Sequence, residues 1–323
     1  MSATTKAPPA ASSGAAAMTT KRKRSELVAL YVAISPFYIL FAIFGVFPIL
    51  FSFYLSFQNW DGIGAMQFVG LAQYKFMLTD PNFYKSIVNT FTIWIISTIP
   101  MLCLALVIAF MLNQNIRFKS AYRLAYFIPN VTSIVAIAII FGSIFSNQFG
   151  LINAALQGLG LGTVEWLTAP WGIKIAIAAM VIWRWTGYNA IIYLAGLQAI
   201  PTELYEAARV DGASWIQVFF RITIPMMRPI ILFTVITSTI GGMQLFTEPQ
   251  VLLGNSGGPG NEGLTMVLYL YQQAFDNNQF GYGAAIGWAL FVIMILFSII
   301  NWRLVMGSGE KSVRRGLRRG ERA

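Results

Sequence analysis

Residues 86–112 read SIVNTFTIWIISTIPMLCLALVIAFML, twenty-seven positions without a Lys, Arg, Asp or Glu. Wound as an α-helix, a run of that length extends about 40 Å and exceeds the roughly 30 Å hydrocarbon core of a bilayer. Helix is the form required there, because lipid offers no partners to exposed backbone groups. A membrane β-barrel needs short alternating strands, and this run does not alternate. Further apolar runs lie at about 27–57, 124–146, 171–198, 229–251 and 282–306. The expected fold is therefore an all-α integral membrane protein of about six transmembrane helices. Pro48, Pro100 and Pro229 lie in or at the ends of these runs, where kinks are expected.

The composition agrees. Of 323 residues, 57% are hydrophobic and 11% charged, against about 25% charged in a typical soluble protein. Cys103 is the one cysteine and there is no histidine, so no disulfide or thiolate metal site can form within the chain, and the commonest general base is missing. Neither catalytic residues nor metal ligands are expected. A membrane-embedded enzyme is disfavoured further, because no Asp or Glu cluster lies within reach of a span.

The formal net charge of +10 fits either nucleic-acid binding or orientation in a membrane. Position separates the two. Residues 1–26 form an expected disordered, basic tail ending in Lys21-Arg22-Lys23-Arg24; the apolar run after it is too long for a signal peptide and reads as a retained first span. Counting Lys and Arg gives five in that tail, three in 113–123, three in 199–228 and six in the 307–323 tail, against Lys75 and Lys85 on the other side. The bias places both termini in the cytoplasm and needs no nucleic acid. Lys174 blurs the start of the fourth span. Of twelve carboxylates only Glu248 falls inside a span, near its outer end. Ion-coupled carriers commonly place Asp or Glu at membrane depth, so an ion-coupled secondary transporter of a small polar solute is the weaker alternative.

Between the fourth and fifth spans the chain reads AIPTELYEAARVDGASWIQVFFRITIP, residues 199–225. Its local chemistry describes two short helices meeting at an angle. Thr202 is a candidate N-cap, with Glu203 and Glu206 favourable near the positive end of the first helix. Gly212 supplies the left-handed residue that ends it. Ser214 and Gln217 fit a capping box for the second helix, which Pro225 is expected to close. By local chemistry alone this is either an ordinary amphipathic surface pair or a knob for a partner's cleft.

The same stretch resembles the EAA loop of binding-protein-dependent ABC permeases, a pattern of E-A-A, three residues, G, nine residues and I-x-L-P. Glu206, Ala207, Ala208, Gly212, Ile222 and Pro225 fall at those spacings, with Ile224 in place of Leu. Asp211 and Ala213 extend the match to the carbohydrate-uptake branch, the maltose-type sugar permeases. Trp185-Thr-Gly-Tyr-Asn189 leading to Leu194-Ala-Gly-Leu-Gln198, and Gly257-Gly-Pro259 followed by Thr265, Gln272-Gln-Ala-Phe275 and Gly281-Tyr-Gly283, are similar to the same branch. The resemblance covers about residues 30–305. It implies a permease subunit of an ATP-driven importer for a sugar, a di- or oligosaccharide by size, in a bacterial or archaeal cell membrane. The implied partners are a second permease subunit in a heterodimer, a cytoplasmic ATPase dimer that receives this loop, an extracytoplasmic sugar-binding protein and membrane lipid. No cofactor is expected on the chain itself, and ATP is used by the partner. The fragment Gly307-Ser-Gly-Glu-Lys311-Ser312 lacks the Gly directly before Lys that a phosphate-binding loop requires.

Two features suggest a solute path. Thr234, Thr237, Gly241, Gln244 and Glu248 recur at steps of three and four, which puts all five on one helical face. Such a face either packs against a neighbouring helix or lines a watery cavity. Arg184 lies within the fourth span with Tyr188 on its face and Asn189 beside it, at a burial cost of roughly 2.5–3.5 kcal/mol. It is expected either to snorkel or pair at the interface or to face the path beside Trp183, Trp185 and Asn189. The candidate pathway residues are Arg184, Tyr188, Asn189, Thr237, Gln244 and Glu248.

Overall fold

A computed structural model describes the backbone over residues 13–113 and 117–320, with side chains from 27 to 303 within those ranges. Much of the two basic tails, at 1–26 and 307–323, and the 307–312 fragment therefore lies outside the described side chains.

The amino-terminal unit, as far as Tyr54, contains α1 (Ser13–Phe41), a π-turn at Ala42–Val46 and most of α2 (Phe47–Leu55). From Leu27 it carries no charged side chain and none of the apolar stretch is buried, as suits a helix surrounded by lipid. The π-turn lies just before Pro48, and the Phe47 N–H bonds the Ala42 carbonyl five residues back. Proline crowds the carbonyl four residues behind it, and one wider turn relieves that crowding.

The second unit begins at Leu55. A two-residue antiparallel hairpin, β1 (Gln58–Asn59) with β2 (Gln67–Phe68), pairs Gln58 with Phe68. Then come α3 (Ala72–Met77), α4 (Pro81–Asn113), α5 (Lys119–Val131), α6 (Ile134–Ile144), α7 (Leu151–Gly158) and α8 (Pro170–Gln198). The helices α9 (Thr202–Val210), α10 (Trp215–Val218) and α11 (Ile224–Met226) lead into α12 (Arg228–Met243), α13 (Thr247–Leu253), α14 (Met266–Tyr271) and α15 (Phe280–Gly320).

α4 and α8 pack along their lengths and run parallel. Near their starts Ile93 packs with Ile173 and Ile177; near their ends Ala105, Ala109 and Leu112 pack with Tyr193, Leu194 and Leu197. Two parallel spans require a return crossing between them, and α5 with α6 supplies it. The expected single span over 124–146 is corrected here: it is a pair of short helices bent by 93°. Thr132 and Ser133 at the bend are extended, with ψ of 144° and 125°, and the Thr132 hydroxyl donates to the Ile128 carbonyl at 2.8 Å. Such local bonding competes with helix continuation. Among the described residues five helices are long and apolar enough to span a membrane, and six when the bent pair is counted as one span.

α5 crosses α8 so closely that a Cβ on Gly187 would lie 1.7 Å from the Tyr126 carbonyl oxygen. Only glycine allows that approach. α6 then covers the earlier part of α8, where Ile137 and Ala138 pack on Met180. A fourth buried cluster joins the first turns of α4 to α14 and α15 through Phe83, Leu268, Tyr269, Tyr282 and Ile286.

Span five also departs from expectation. α12 ends at Met243, residues 244–246 belong to neither helix, and α13 starts at Thr247. The single helical face expected to carry Thr234 through Glu248 thus holds only as far as Gly241. The physical cause lies in Gly241-Gly242, which weaken the helix, and Pro249, which can donate no backbone bond. The loosened Leu245 carbonyl is taken by the buried Thr265 hydroxyl at 2.6 Å.

Candidate functional site

The break in span five opens a cavity of about 400 Å³ between α4, α8, α12 and α13. Arg184, Tyr188, Asn189, Thr237, Gln244 and Glu248 all line it. Arg184 stands one turn of α8 before the adjacent Tyr188 and Asn189, Thr237 is on α12, Gln244 is in the break, and Glu248 is in the first turn of α13. The Arg184 Nη1 donates to Glu248 Oε1 at 3.2 Å, so Arg184 is paired and also lines the cavity. Glu248 is 5% exposed, which is tolerable for a carboxylate in a membrane span only with such a partner. Trp185 and Tyr188 meet edge to face at 5.7 Å, and the Arg184 guanidinium carbon lies 5.3 Å from the Trp185 ring. Asn189 is buried, with its amide donating to the Trp185 carbonyl at 3.0 Å. Trp183 lies elsewhere, against Phe141.

Thr234 does not join the cavity. It is fully buried, and its hydroxyl lies 2.8 Å from that of Tyr193 on α8, where it packs two helices together. Gly241 has no atom within 4 Å of where a Cβ would stand, whereas Gly242 would strike Trp94. Adjacent glycines thus have opposite roles, one facing open space and one admitting a neighbour. Thr98 and Met101 of α4 also line the cavity. Sequence reasoning missed them, since nothing in their spacing marks one face of that apolar run.

The loop between spans four and five forms the expected angled pair. Gly212 has φ of 71°, and the Ala213 N–H bonds the Ala208 carbonyl at 2.9 Å, closing α9 with a Schellman-type end. Ser214 and Gln217 form the reciprocal capping box of α10. Two expectations are corrected. Thr202 is the first helical residue, and the N-cap position falls to Pro201, whose side chain cannot accept a bond. Pro225 does not close the helix. A π-turn at Phe219–Thr223 precedes it, and α11 leads on to α12; Ile224 N–H bonds the Phe219 carbonyl, as occurs before Pro48. Glu206, Ala207, Asp211 and Gly212 are exposed, Ala208 is buried, and Ala213 and Pro225 are partly covered. Val210, Trp215, Ile216 and Phe220 add exposed apolar surface. The pair is anchored to the end of α4 by Phe110, whose ring lies 5.6 Å from both Trp215 and Phe219. Tyr205 and Thr223 hydroxyls meet at 3.3 Å across it.

At the opposite end of α4 and α8, Glu262 accepts from Lys85 at 2.8 Å and pairs closely with Lys174. Burial acts to raise the Glu262 carboxyl, but the Lys174 and Lys85 ammonium groups outweigh it and hold it below its ordinary value. Lys174, ambiguous by sequence, is thereby neutralised. Nearby, Asp80 accepts from both Tyr269 and Tyr282 hydroxyls; burial and the Asp80 carboxylate push the Tyr269 hydroxyl far above its usual value.

Fold and site define a class: a polytopic helical membrane protein with a polar, aromatic-walled cavity and a rigid helical pair projecting from one end. Residues 93–305 match the binding-protein-dependent transport system inner membrane component, and the chain belongs to that family. It is 38% identical to the arabinooligosaccharides transport system permease protein AraP of Bacillus subtilis (strain 168), over 87% of this chain and 89% of the relative. It is 37% identical to the lactose transport system permease protein LacF of Rhizobium radiobacter, over 88% and 97%. A chain in the crystal structure of a bacterial alginate ABC transporter, in complex with alginate pentasaccharide-bound periplasmic protein, shares the fold. There the TM-score is 0.75 and the identity 24%, covering 87% of this chain and 94% of that one. The protein is a transport component of a membrane and not an enzyme, which sets aside the ion-coupled carrier.

Proposed function

We propose that this chain is one of two permease subunits of an ATP-driven importer for a di- or oligosaccharide, and that its half of the path runs through the cavity beside Arg184 and Glu248. The observation that carries this reading is the composition of that cavity, where Trp185 and Tyr188 offer aromatic faces next to Arg184, Gln244 and Glu248. Sugars combine apolar ring faces with hydroxyl rims, and such a lining matches both. The sugar-transport relatives support the same class. In the resting cell membrane both termini and the α9–α10 pair lie in the cytoplasm. The exposed Glu206, Ala207, Asp211 and Gly212 dock to a separate ATPase, while Ala208, Ala213 and Pro225 hold the pair in shape. ATP binds to that partner, and an extracytoplasmic receptor delivers the sugar at the Glu262 end.

The test is reconstitution of this chain with its partner permease and ATPase in vesicles, with receptor and labelled oligosaccharide outside. Uptake should require ATP and be indifferent to sodium and proton gradients. Uptake that persists with this chain alone, driven by an ion gradient, would sink the reading.

A further inference from the structure

The polar lining of the cavity includes one cation and one anion, Arg184 and Glu248, and they bond to each other. The pair is incompletely used. The Arg184 side chain is 21% exposed and, among the described residues, donates to Glu248 Oε1 alone, while Glu248 Oε2 receives no hydrogen bond. A guanidinium has five donors in a fixed fork and a carboxylate has acceptor sites on both oxygens. The linked pair therefore presents spare donors and spare acceptors side by side, with no net charge.

We infer that the Arg184–Glu248 pair makes this half of the path selective for neutral polyhydroxylated solutes, and that it rejects solutes carrying a carboxylate, a phosphate or an ammonium group. This rests on the proposed saccharide path and narrows its substrate class. Neighbouring hydroxyls of a neutral sugar can bridge the pair, one accepting from the guanidinium and the next donating to the free carboxylate oxygen. Neither ion loses its counter-charge in that arrangement. An anionic solute would compete with Glu248 for Arg184 and strand a carboxylate that is almost fully buried. A cationic solute would strand Arg184 within the span. Leaving one member of a buried pair alone is far more costly than the pair itself. Aromatic surface on the same wall, from Trp185 and Tyr188, is indifferent to charge and so sets shape without opposing this filter.

The experiment uses the purified complex of this chain with its partner permease and ATPase, without the receptor, so that receptor specificity cannot intervene. Saturation-transfer NMR is recorded with lactose as the neutral probe, with a galacturonate disaccharide and with glycerol 3-phosphate. The wild type should transfer saturation to lactose at least tenfold more strongly than to either anion. Glu248→Gln, which frees Arg184, should gain at least tenfold for the galacturonate probe. Arg184→Gln should not gain, and Arg184→Gln with Glu248→Gln should restore the neutral preference. Equal transfer to neutral and anionic probes in the wild type would overturn the inference, even if no variant can be purified. So would a Glu248→Gln protein that still rejects the anion. A complex that binds the probes as expected but shows no ATP-dependent saccharide uptake with its receptor would refute the importer reading instead.

Discussion

At the residue scale, position relative to the cavity separates side chains that look equivalent in a polar stripe. Thr234 and Gln244 stand ten residues apart on span five, yet one is fully buried and the other open. Thr234→Val keeps the volume and removes the hydroxyl beside Tyr193, so thermal unfolding should show a loss of about 0.5–1.5 kcal/mol with uptake nearly unchanged. Gln244→Leu should instead spare stability and lower uptake several-fold, by removing a hydrogen-bonding group from the cavity wall. The reverse order would show that the stripe serves only packing. Glu262 illustrates a second residue-scale effect. Glu262→Gln leaves Lys174 buried at 6% exposure without its carboxylate, and should cost about 1.5–3 kcal/mol, the worth of hydrogen bonds to a charged group. Because the folded Glu262 value is lowered, its contribution is full above the ordinary value of 4.5 and is lost as pH falls below that. A melting curve of the wild type should therefore approach that of Glu262→Gln at acid pH. Unchanged separation between the two would exclude the ion pair as the cause.

At the element scale, two glycines make opposite demands. Gly212 needs its conformation and not its space, for its φ is 71° and nothing lies within 4 Å of an added Cβ. Gly212→Asn should be tolerated, Gly212→Ala should cost about 1–2 kcal/mol of local order, and Gly212→Pro should abolish co-purification of the ATPase, since proline is fixed near −65°. Gly187 needs space and not conformation. Gly187→Ala would drive a Cβ into the Tyr126 carbonyl, so α5 must shift, at about 1–3 kcal/mol or more. Co-purification should survive if the protein folds, because the α9–α10 pair is untouched. ATPase capture that is normal in Gly212→Pro would mean the pair is only a surface ornament. Glu206→Lys, which reverses charge near the start of α9, supplies an independent arm with the same expected loss.

At the scale of the whole molecule, the parallel course of α4 and α8 requires the bent α5–α6 pair to carry the chain back across the membrane. Reporter fusions at about residues 155 and 260 should register outside, and those at about 118, 210 and 315 inside; an inside signal at 260 would contradict six crossings. Cysteines placed singly along 234–248 in a Cys103→Ala background test the broken span. Labelling by a water-soluble thiol reagent should be periodic through 237, 238 and 241, absent at the fully buried 243, and present at the three positions 244, 246 and 247 with little at the buried 245 and 248. Strict helical periodicity through 248 would show that the span is unbroken in the membrane.

The fold class and the helical pair were legible in the sequence because each rests on local rules. A charge-free run longer than the bilayer is thick must be helix, and Gly212, Ser214 and Gln217 act within four residues of their partners. The six pathway candidates were visible as polar groups in apolar surroundings, a pattern that water-free burial makes costly without a purpose. What needed tertiary structure was every pairing across long stretches of chain. Glu262 meets lysines 177 and 88 residues away, and Thr265 reaches back to the Leu245 carbonyl that the break exposes. Gly241-Gly242 and Pro249 hinted at a break, but only the packing of α4 and α8 against α12 and α13 decided that the chain opens there and leaves a cavity. Short-range chemistry determines which segments are helices; where they bend and what they enclose depends on neighbours that sequence order does not reveal.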